Sequence, residues 1–515
     1  MQSYLFVRKG RMTSILGSSL LNLAATLVSL MAGFLVSVIN ARVLGPAGSG
    51  TVAYAMWVVV CAAALADRGF PQMVLRYVAA LRDQGEPAWR PVVRQAFKSF
   101  LPVVLVVFLL LLAYGLYHRT LGRPAPWIWI AASVLFLAYV FSAFSAAAAR
   151  GRGRFGEVAA ITAVGSLLQI PLVFMGAFLV GPGGAFLGML TRYLPQALSL
   201  PKHLGRRSAP EATVLSPEMQ SYRRSMWASD AIDIILLTRI EYLVIGYFLA
   251  DADVGYFAAA VVFAGLVGQM TLQLSPAFLV GLTARAPSEG ASGPPSELYR
   301  NSLRLTALFM MPLGIGGAAV VGPLVPLVFG NDFAPAANAA VLFMLASVPA
   351  GIAVVPWASL AAGARARTLM HVTLLSAALI FTLLIIVVPV AGIWGAAVVR
   401  VLSETLTLAF LLRAASSDGG PSAPWNALLR TLVAASLCGV AAFAATVVVP
   451  GIIGIVLAIG TGALVYLVAI RLLGLIATDE ATRLFQLVET RLPGALRPLA
   501  QRLVELIAAS PARTG

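Results

Sequence analysis

Seven ionisable side chains lie in segments of the chain that are otherwise apolar. They are Arg192, Arg239, Arg400, Asp230, Asp233, Glu241 and Glu404. A charge at the centre of a bilayer costs at least about 2.5 kcal/mol, so an ionisable residue there is expected to have a partner or a pathway role. The planar guanidinium group of an arginine suits a phosphate or a carboxylate, and the four carboxylates are candidates for coupling to H⁺ or Na⁺.

Arg192 and Arg400 are the most informative of the arginines, because they occupy matching places in the sixth (183–200) and twelfth (391–412) predicted spans. Glu404 follows Arg400 by one helical turn, and Gln196 follows Arg192 in the same way, so each pair shares a helix face. Each arginine either braces its own bundle, by pairing with a carboxylate or helix-end carbonyl groups, or lines a cavity that holds an anionic head group. The spacing leaves both interpretations open.

The seventh predicted span is the most polar. Asp230 and Asp233 are three residues apart and share a helix face, whereas Arg239 and Glu241 are two apart and do not. The carboxylates are candidates for proton or cation coupling, and Arg239 is a candidate for substrate contact. A structural cluster of salt bridges is the other interpretation of the same residues, and the simpler one.

The sequence carries no motif for catalysis. It contains no G-x-x-x-x-G-K-[ST] nucleotide loop, no H-E-x-x-H and no C-x-x-C. Cys61 and Cys438 lie in apolar segments, which argues against a disulfide framework or a metal site. The net charge of +16 comes from short basic clusters between apolar segments, a pattern typical of membrane anchoring. We therefore expect no enzyme, no cofactor, no metal and no nucleic-acid partner.

Long apolar segments must position these side chains. Of the 515 residues, 60% are hydrophobic and 11% are charged, against roughly 25% charged in soluble domains. Stretches of about 20 apolar residues, enough for a helix to cross the hydrocarbon core, recur throughout. The sequence predicts an all-α integral membrane protein with about 14 transmembrane helices.

The basic residues predict the orientation. With the N-terminus inside, 30 of the 36 Lys and Arg residues fall in cytoplasmic segments, three in outside loops and three within the spans. Such a bias follows the positive-inside rule. We expect a multi-pass protein of the cytoplasmic (inner) membrane with both termini in the cytoplasm.

Three stretches of the first half recur in order in the second half. VINARVLGPAGSGTVAYA aligns with LVIGYFLADADVGYFAAA at an offset of 205, which places Gly50 over Gly255. ARGRGRF recurs as GARART, and LVGPGGAFLGMLTRYL recurs as VVPVAGIWGAAVVRVL, at offsets of 213 and 208. A repeat about six helices long indicates two six-helix bundles related by a pseudo-two-fold axis along the membrane normal.

This repeat predicts the domain organisation. We expect the N-terminal and C-terminal six-helix bundles over 1–201 and 225–413, with a cytoplasmic linker over 202–224 between them. Two additional transmembrane helices are predicted over 426–473. A cytoplasmic amphipathic tail is predicted over 474–515, where apolar residues recur at helical spacing.

Three segments resemble those of polysaccharide biosynthesis flippases of the Wzx type: ARVLGPAGSGTVAYA, RIEYLVIGYFLADADVGYFAAA and PLVPLVFGNDFAPAANAAVLFMLA. These flippases belong to the multidrug/oligosaccharidyl-lipid/polysaccharide exporter superfamily, and the resemblance covers nearly the whole chain. It implies a V-shaped pair of six-helix bundles, a central cavity and alternating access. The implied activity is transfer of an undecaprenyl-pyrophosphate-linked oligosaccharide from the inner to the outer leaflet.

The resemblance makes Arg192, Arg239 and Arg400 the candidates for holding the pyrophosphate or acidic sugars of a lipid-linked glycan. Membrane lipid and glycan-assembly proteins are the other expected partners. Two alternatives share the fold, a cation-coupled multidrug exporter and a lipid II flippase. A third alternative is a membrane-embedded scaffold that assembles glycan enzymes without transport.

Overall fold

The computed structural model describes residues 2–120, 126–205, 215–238, 240–283, 296–362, 365–417, 420–476 and 497. These residues form helices joined by short connections and include no strand. The all-α membrane architecture expected from the sequence is thereby confirmed. The predicted helices of the tail lie outside the described residues, apart from 474–476 and 497.

Fifteen α-helices are assigned within the described part of the chain. They are α1 (Gln2–Asp67), α2 (Phe70–Leu81), α3 (Glu86–Thr120), α4 (Pro126–Gly151), α5 (Phe155–Val180), α6 (Pro182–Leu198), α7 (Pro201–Leu204), α8 (Pro217–Ile232), α9 (Ile240–Phe248), α10 (Asp251–Thr283), α11 (Ser296–Phe329), α12 (Ala337–Ala362), α13 (Ala366–Ser416), α14 (Trp425–Val448) and α15 (Gly451–Leu472). The chain divides into two compact units, unit 1 (Met1–Ala258) and unit 2 (Ala259–Gly515).

Ten helices of the described part are long and apolar enough to cross a membrane. The longest, α1 and α13, each contain a glycine with non-helical backbone angles, Gly45 in α1 and Gly392 in α13, and each covers two predicted spans. Helix α6 covers the sixth predicted span with only 17 residues. The seventh is interrupted by a π-helical segment, Asp233–Thr238, between α8 and α9. The count of 14 transmembrane helices stays a prediction.

Aromatic packing fills the core of unit 1. Phe70 of α2 meets Phe100 of α3 edge-to-face, with ring centroids 5.9 Å apart. Phe100 also stacks on Phe144 of α4 at 5.2 Å, and Phe97 meets Phe144 at 5.6 Å. Buried aromatic pairs of this geometry contribute about 0.5–1.5 kcal/mol beyond the area they bury. They hold α2, α3 and α4 together as the support for the remaining helices of the unit.

Helices α5 and α6 pack backbone against backbone. A Cβ atom added to Gly176 would lie 2.1 Å from the carbonyl oxygen of Gly184, and one added to Gly184 would lie 2.1 Å from that of Gly176. Small residues that admit such close approach are the usual basis of helix packing in membranes. The contact fixes α6, and with it Arg192, against α5.

Two backbone features recur at one constant spacing in the two halves. Arg154 precedes α5 with φ −86° and ψ 49°, and Arg365 precedes α13 with φ −82° and ψ 49°. Gly181, ahead of α6, has φ 73° and ψ −148°, and Gly392 has φ 60° and ψ −147°. The two members of each pair lie the same number of residues apart, so both pairs align this part of the second half with the first half at one offset. We call this alignment the backbone register. This register differs from the two offsets, 213 and 208, that the letters alone predict.

An arginine of the repeated basic loop braces each unit. Arg152 Nη1 donates a hydrogen bond to His203 Nδ1 at 3.1 Å, and its guanidinium carbon lies 4.7 Å from the centre of the Trp89 ring. These contacts join the α4–α5 connection to α3 and α7. In unit 2, Arg365 Nη1 donates to the carbonyl oxygen of Ala414 at 3.3 Å. The loop of unit 1 is thereby tied to α3 and α7, and the loop of unit 2 to the end of α13.

The contact between Arg152 and His203 predicts a dependence of stability on pH. Burial, with Arg152 nearby, lowers the pKa of His203 to about 4, against about 6.5 in an unfolded chain. Between these values the unfolded state binds the proton and the folded state does not, so stability falls as pH drops from about 6.5 to 4. The thermal midpoint of the purified protein should fall over this range, and less so in His203→Gln, whose amide oxygen still accepts from Arg152. An equal pH dependence in both proteins would contradict the assignment.

Candidate functional site

Arg192 lies on α6 against the first helix. Its Nη1 atom is 3.9 Å from the position that a Cβ atom on Gly33 of α1 would take, and its guanidinium carbon lies 5.7 Å from the centre of the Tyr193 ring. The side chain is partly buried. Among the described residues, no carboxylate lies within ion-pair distance of this guanidinium. Arg192 therefore presents a charged, planar donor group beside α1.

Gln196, one turn after Arg192, is used for packing between helices. Gln196 is buried, and its Nε2 atom donates to Ser145 Oγ of α4 at 2.9 Å and to Ser199 Oγ at 3.1 Å. The amide thus fastens α6 to α4. Ser29 of α1 is likewise used for packing, because Ser166 Oγ of α5 donates to it at 3.1 Å.

Arg400 forms an ion pair with the glutamate that shares its helix face. Its Nη1 atom lies 3.1 Å from Glu404 Oε1 one turn further along α13, and the two side chains are 15% and 22% exposed. In the backbone register of the two units, however, Arg192 corresponds to Ser403 and not to Arg400. The two arginines are therefore one helical turn apart in the repeat, not equivalent as the sequence predicts.

The polar residues of the seventh predicted span are spread over α8, the π-helical segment and α9. Asp230, near the end of α8, accepts a hydrogen bond from Gln72 Nε2 of α2. Asp233 begins the π-helical segment and is exposed, whereas Glu241 on α9 is 1% exposed. π-Helical turns are rare and frequently occur at functional sites. Arg239 lies outside the described residues.

Helix α8 is anchored to the first helices of unit 1. Arg223 Nη1 donates to the carbonyl oxygen of Arg68 at 2.8 Å, and its guanidinium carbon lies 4.5 Å from the centre of the Phe70 ring. Trp227 Nε1 donates to the carbonyl oxygen of Ala64 at 3.0 Å. These anchors, like the Gln72 contact with Asp230, join residues that are far apart along the chain, so helical spacing gave no sign of them.

The described candidate site residues are divided between the two units. Unit 1 carries Arg192 and the carboxylates Asp230, Asp233 and Glu241 on separate elements, and unit 2 carries the ion pair of Arg400 with Glu404. No group of three or more His, Cys, Asp or Glu side chains among the described residues has the arrangement of a metal site. These side chains could bind anions, protons or cations, and Arg400 and Glu404 lie on a helix that is long and apolar enough to cross a membrane.

The described helices, ten of which are long and apolar enough to cross a membrane, define a multi-pass helical membrane protein. The model of the family described as polysaccharide biosynthesis protein matches residues 39–338. The chain belongs to this polysaccharide biosynthesis family, which confirms the resemblance in the sequence. Comparison with curated proteins gives no match.

Solved structures support the same fold. The lipid II flippase MurJ in an inward closed conformation has a TM-score of 0.69 at 14% identity, over 88% of this chain and 98% of that one. An inward-facing multidrug resistance MATE family transporter of the MOP superfamily has a TM-score of 0.57 at 15% identity, over 76% and 95%. A MATE protein in a bent conformation has a TM-score of 0.52 at 14% identity, over 75% and 91%.

Proposed function

We propose that this protein flips a lipid-linked oligosaccharide of the undecaprenyl-pyrophosphate type across the cytoplasmic membrane for polysaccharide biosynthesis. Family membership supports a glycan substrate, and the fold supports transport by alternating access. The observation that carries the proposal at the level of residues is Arg192, a guanidinium on an apolar helix with no ion pair among the described residues. A pyrophosphate supplies the counter-charge that such a group lacks.

The proposed orientation places both termini in the cytoplasm of a cell with an inner membrane, because basic residues gather in alternate connections. Glycan substrate then enters from the side where cytoplasmic glycan-assembly proteins deliver it. Coupling to H⁺ or Na⁺ is proposed to use the carboxylates Asp230, Asp233 and Glu241, which flank the π-helical segment. Glu404, which forms an ion pair with Arg400 in unit 2, is the fourth carboxylate proposed for this coupling.

Cells that lack the protein should retain the lipid-linked glycan in the cytoplasmic leaflet, because its charged and sugar groups cannot cross the hydrocarbon core unaided. The measurement is the accessibility of the glycan to a membrane-impermeant lectin in spheroplasts and in inverted vesicles. Reintroduction of the gene should restore outside labelling. A normal pool with normal leaflet distribution in the deletion strain would refute the proposal.

A cation-coupled multidrug exporter is the second candidate, since MATE transporters have a similar fold. In that case the deletion strain should accumulate small cationic compounds while its glycan pool stays normal. A lipid II flippase is the narrower variant suggested by the MurJ structure. It predicts that lipid II, and not the polysaccharide intermediate, is trapped in the cytoplasmic leaflet of the deletion strain.

A further inference from the structure

A cavity of about 480 Å³ opens in unit 2 at the meeting point of three chain segments. Arg300 and Arg304 line it from the start of α11, Trp425 and Arg430 line it from the start of α14, and Leu475 closes it after α15. The charge pattern places all three segments on the cytoplasmic side. The described residues that line the cavity include three arginines and no carboxylate.

Hydrogen bonds to neighbouring chain hold two of these guanidinium groups in place. Arg300 donates from Nε to the carbonyl oxygen of Ser422 at 3.3 Å and from Nη2 to Ser422 Oγ at 3.2 Å. Arg430 donates from Nη1 to the carbonyl oxygen of Leu473 at 3.5 Å. Because a guanidinium has five N–H donors, both side chains keep donors for a ligand after these bonds are made.

The first turn of α14 adds to the positive potential of the cavity. The helix begins after Pro424, and no side chain of the described residues caps its free N–H groups. Such an N-terminus carries about half a positive charge and favours anions. Asn426 in the same turn also lines the cavity. Three guanidinium groups and a helix N-terminus together suit a group with negative charge on several oxygen atoms.

The surroundings of the cavity indicate where that anion comes from. Trp425, 60% exposed, is followed along α14 at helical spacing by Leu429 and Val433, which are 59% and 51% exposed. An apolar face on a membrane-spanning helix meets lipid acyl chains, and tryptophan prefers the level of the head groups. The cavity therefore lies where a lipid phosphate would lie if its acyl chains covered this face.

We propose that this cavity binds the phosphate of an anionic phospholipid headgroup from the cytoplasmic leaflet. Basic pockets between membrane helices on this side are suited to such head groups. The occupied site would clamp α11, the 420–424 segment, α14 and the end of α15 to one another. The inference is independent of which substrate the protein transports.

The test is lipid retention by the purified full-length chain, measured by native mass spectrometry with phosphatidylglycerol or phosphatidylcholine in the detergent. Arg304→Gln with Arg430→Gln should weaken phosphatidylglycerol binding by at least about tenfold, the cost of losing a charge-assisted hydrogen bond. Phosphatidylcholine retention should not change. Two variants are the matched controls. Ser422→Ala removes one hydrogen bond of Arg300 without removing a charge. Arg413→Gln removes the charge of an exposed arginine that does not line the cavity.

Three results would overturn the proposal. The first is equal phosphatidylglycerol binding by the double variant and the Arg413→Gln control. The second is displacement of phosphatidylglycerol by millimolar inorganic phosphate, which would identify a site for the free anion. The third is selective retention of undecaprenyl phosphate over phosphatidylglycerol, which would identify a site for the substrate lipid. Thermal midpoints in phosphatidylcholine, matched to the unmodified protein, verify that the variants are folded.

Discussion

Alanine at Gly50 should weaken unit 1 severely, because this glycine allows the second half of α1 to touch the start of α10. A Cβ atom at Gly50 would lie 1.8 Å from the carbonyl oxygen of Asp251, which is backbone and cannot rotate away. The opposite glycine has the same constraint, since a Cβ atom at Gly255 would lie 2.1 Å from the carbonyl oxygen of Pro46. Either substitution must push the two helices apart.

The expected size of this effect follows from the cost of overpacking, about 1–3 kcal/mol for each added methyl group that the surroundings cannot accommodate. Thr51 Oγ1, whose hydroxyl donates to the carbonyl oxygen of Ala47 at 2.9 Å, also lies 3.4 Å from Asp251 Oδ2, and separation of the helices would lose this second contact. The measurement is the thermal midpoint of purified Gly50→Ala and Gly255→Ala in detergent. Both should fall well below that of the unmodified protein, and Gly50→Val should not yield folded protein.

Gly265 provides the control within the same helix. A Cβ atom there would have no neighbour within 4 Å in the part of the chain that the structure describes. Alanine in a helix is favoured over glycine by up to about 1 kcal/mol, so Gly265→Ala should be neutral or slightly stabilising. If Gly50→Ala and Gly265→Ala shifted the thermal midpoint by the same amount, the shift would reflect helix propensity alone. That result would contradict a close contact between α1 and α10.

The contact between Gly50 and Gly255 also indicates what a sequence can reveal about this fold. The sequence offset of 205 aligns these two glycines, and both have small and aromatic residues after them, so the match is visible in the letters. Their contact is not visible, because it depends on how the two helices cross. Apolar length, by contrast, does predict the helical membrane architecture, since it is a local property that each helix must satisfy alone.

The register of the repeat is a feature that the letters of the sequence do not determine. Aligning arginine with arginine in the sixth and twelfth spans pairs Gly392 with Gly184, but matching backbone angles pair Gly392 with Gly181. Identity of a side chain is a weaker constraint than a backbone turn that needs positive φ. Likewise, the seventh predicted span reads as one continuous helix in its letters, although the structure interrupts it with π-helical geometry next to Asp233.

Arg192→Ala should reduce flipping far more than Arg400→Ala, although the sequence makes the two arginines equal candidates. Arg400 is engaged by Glu404 at 3.1 Å, whereas no carboxylate of the described residues engages Arg192. Loss of a charge-assisted bond to a phosphate is worth about 1.5–3 kcal/mol, or roughly 10- to 100-fold in the rate if the bond is made in the step that limits transport. Arg192→Lys should recover part of the rate, because it keeps the charge but loses the planar fork.

The measurement is the rate at which lipid-linked glycan becomes accessible to an external lectin in cells that carry each variant at equal protein level. Gln196→Ala is the matched control for a packing defect in α6, because Gln196 holds the same helix to α4 without presenting a charge. If Gln196→Ala slowed flipping as much as Arg192→Ala, with equal losses of thermal stability, Arg192 would act by bracing the bundle. The opposite result would be slow flipping by Arg192→Ala with an unchanged thermal midpoint, and partial recovery of the rate in Arg192→Lys. That result would indicate that the guanidinium of Arg192 contacts the phosphate during transport.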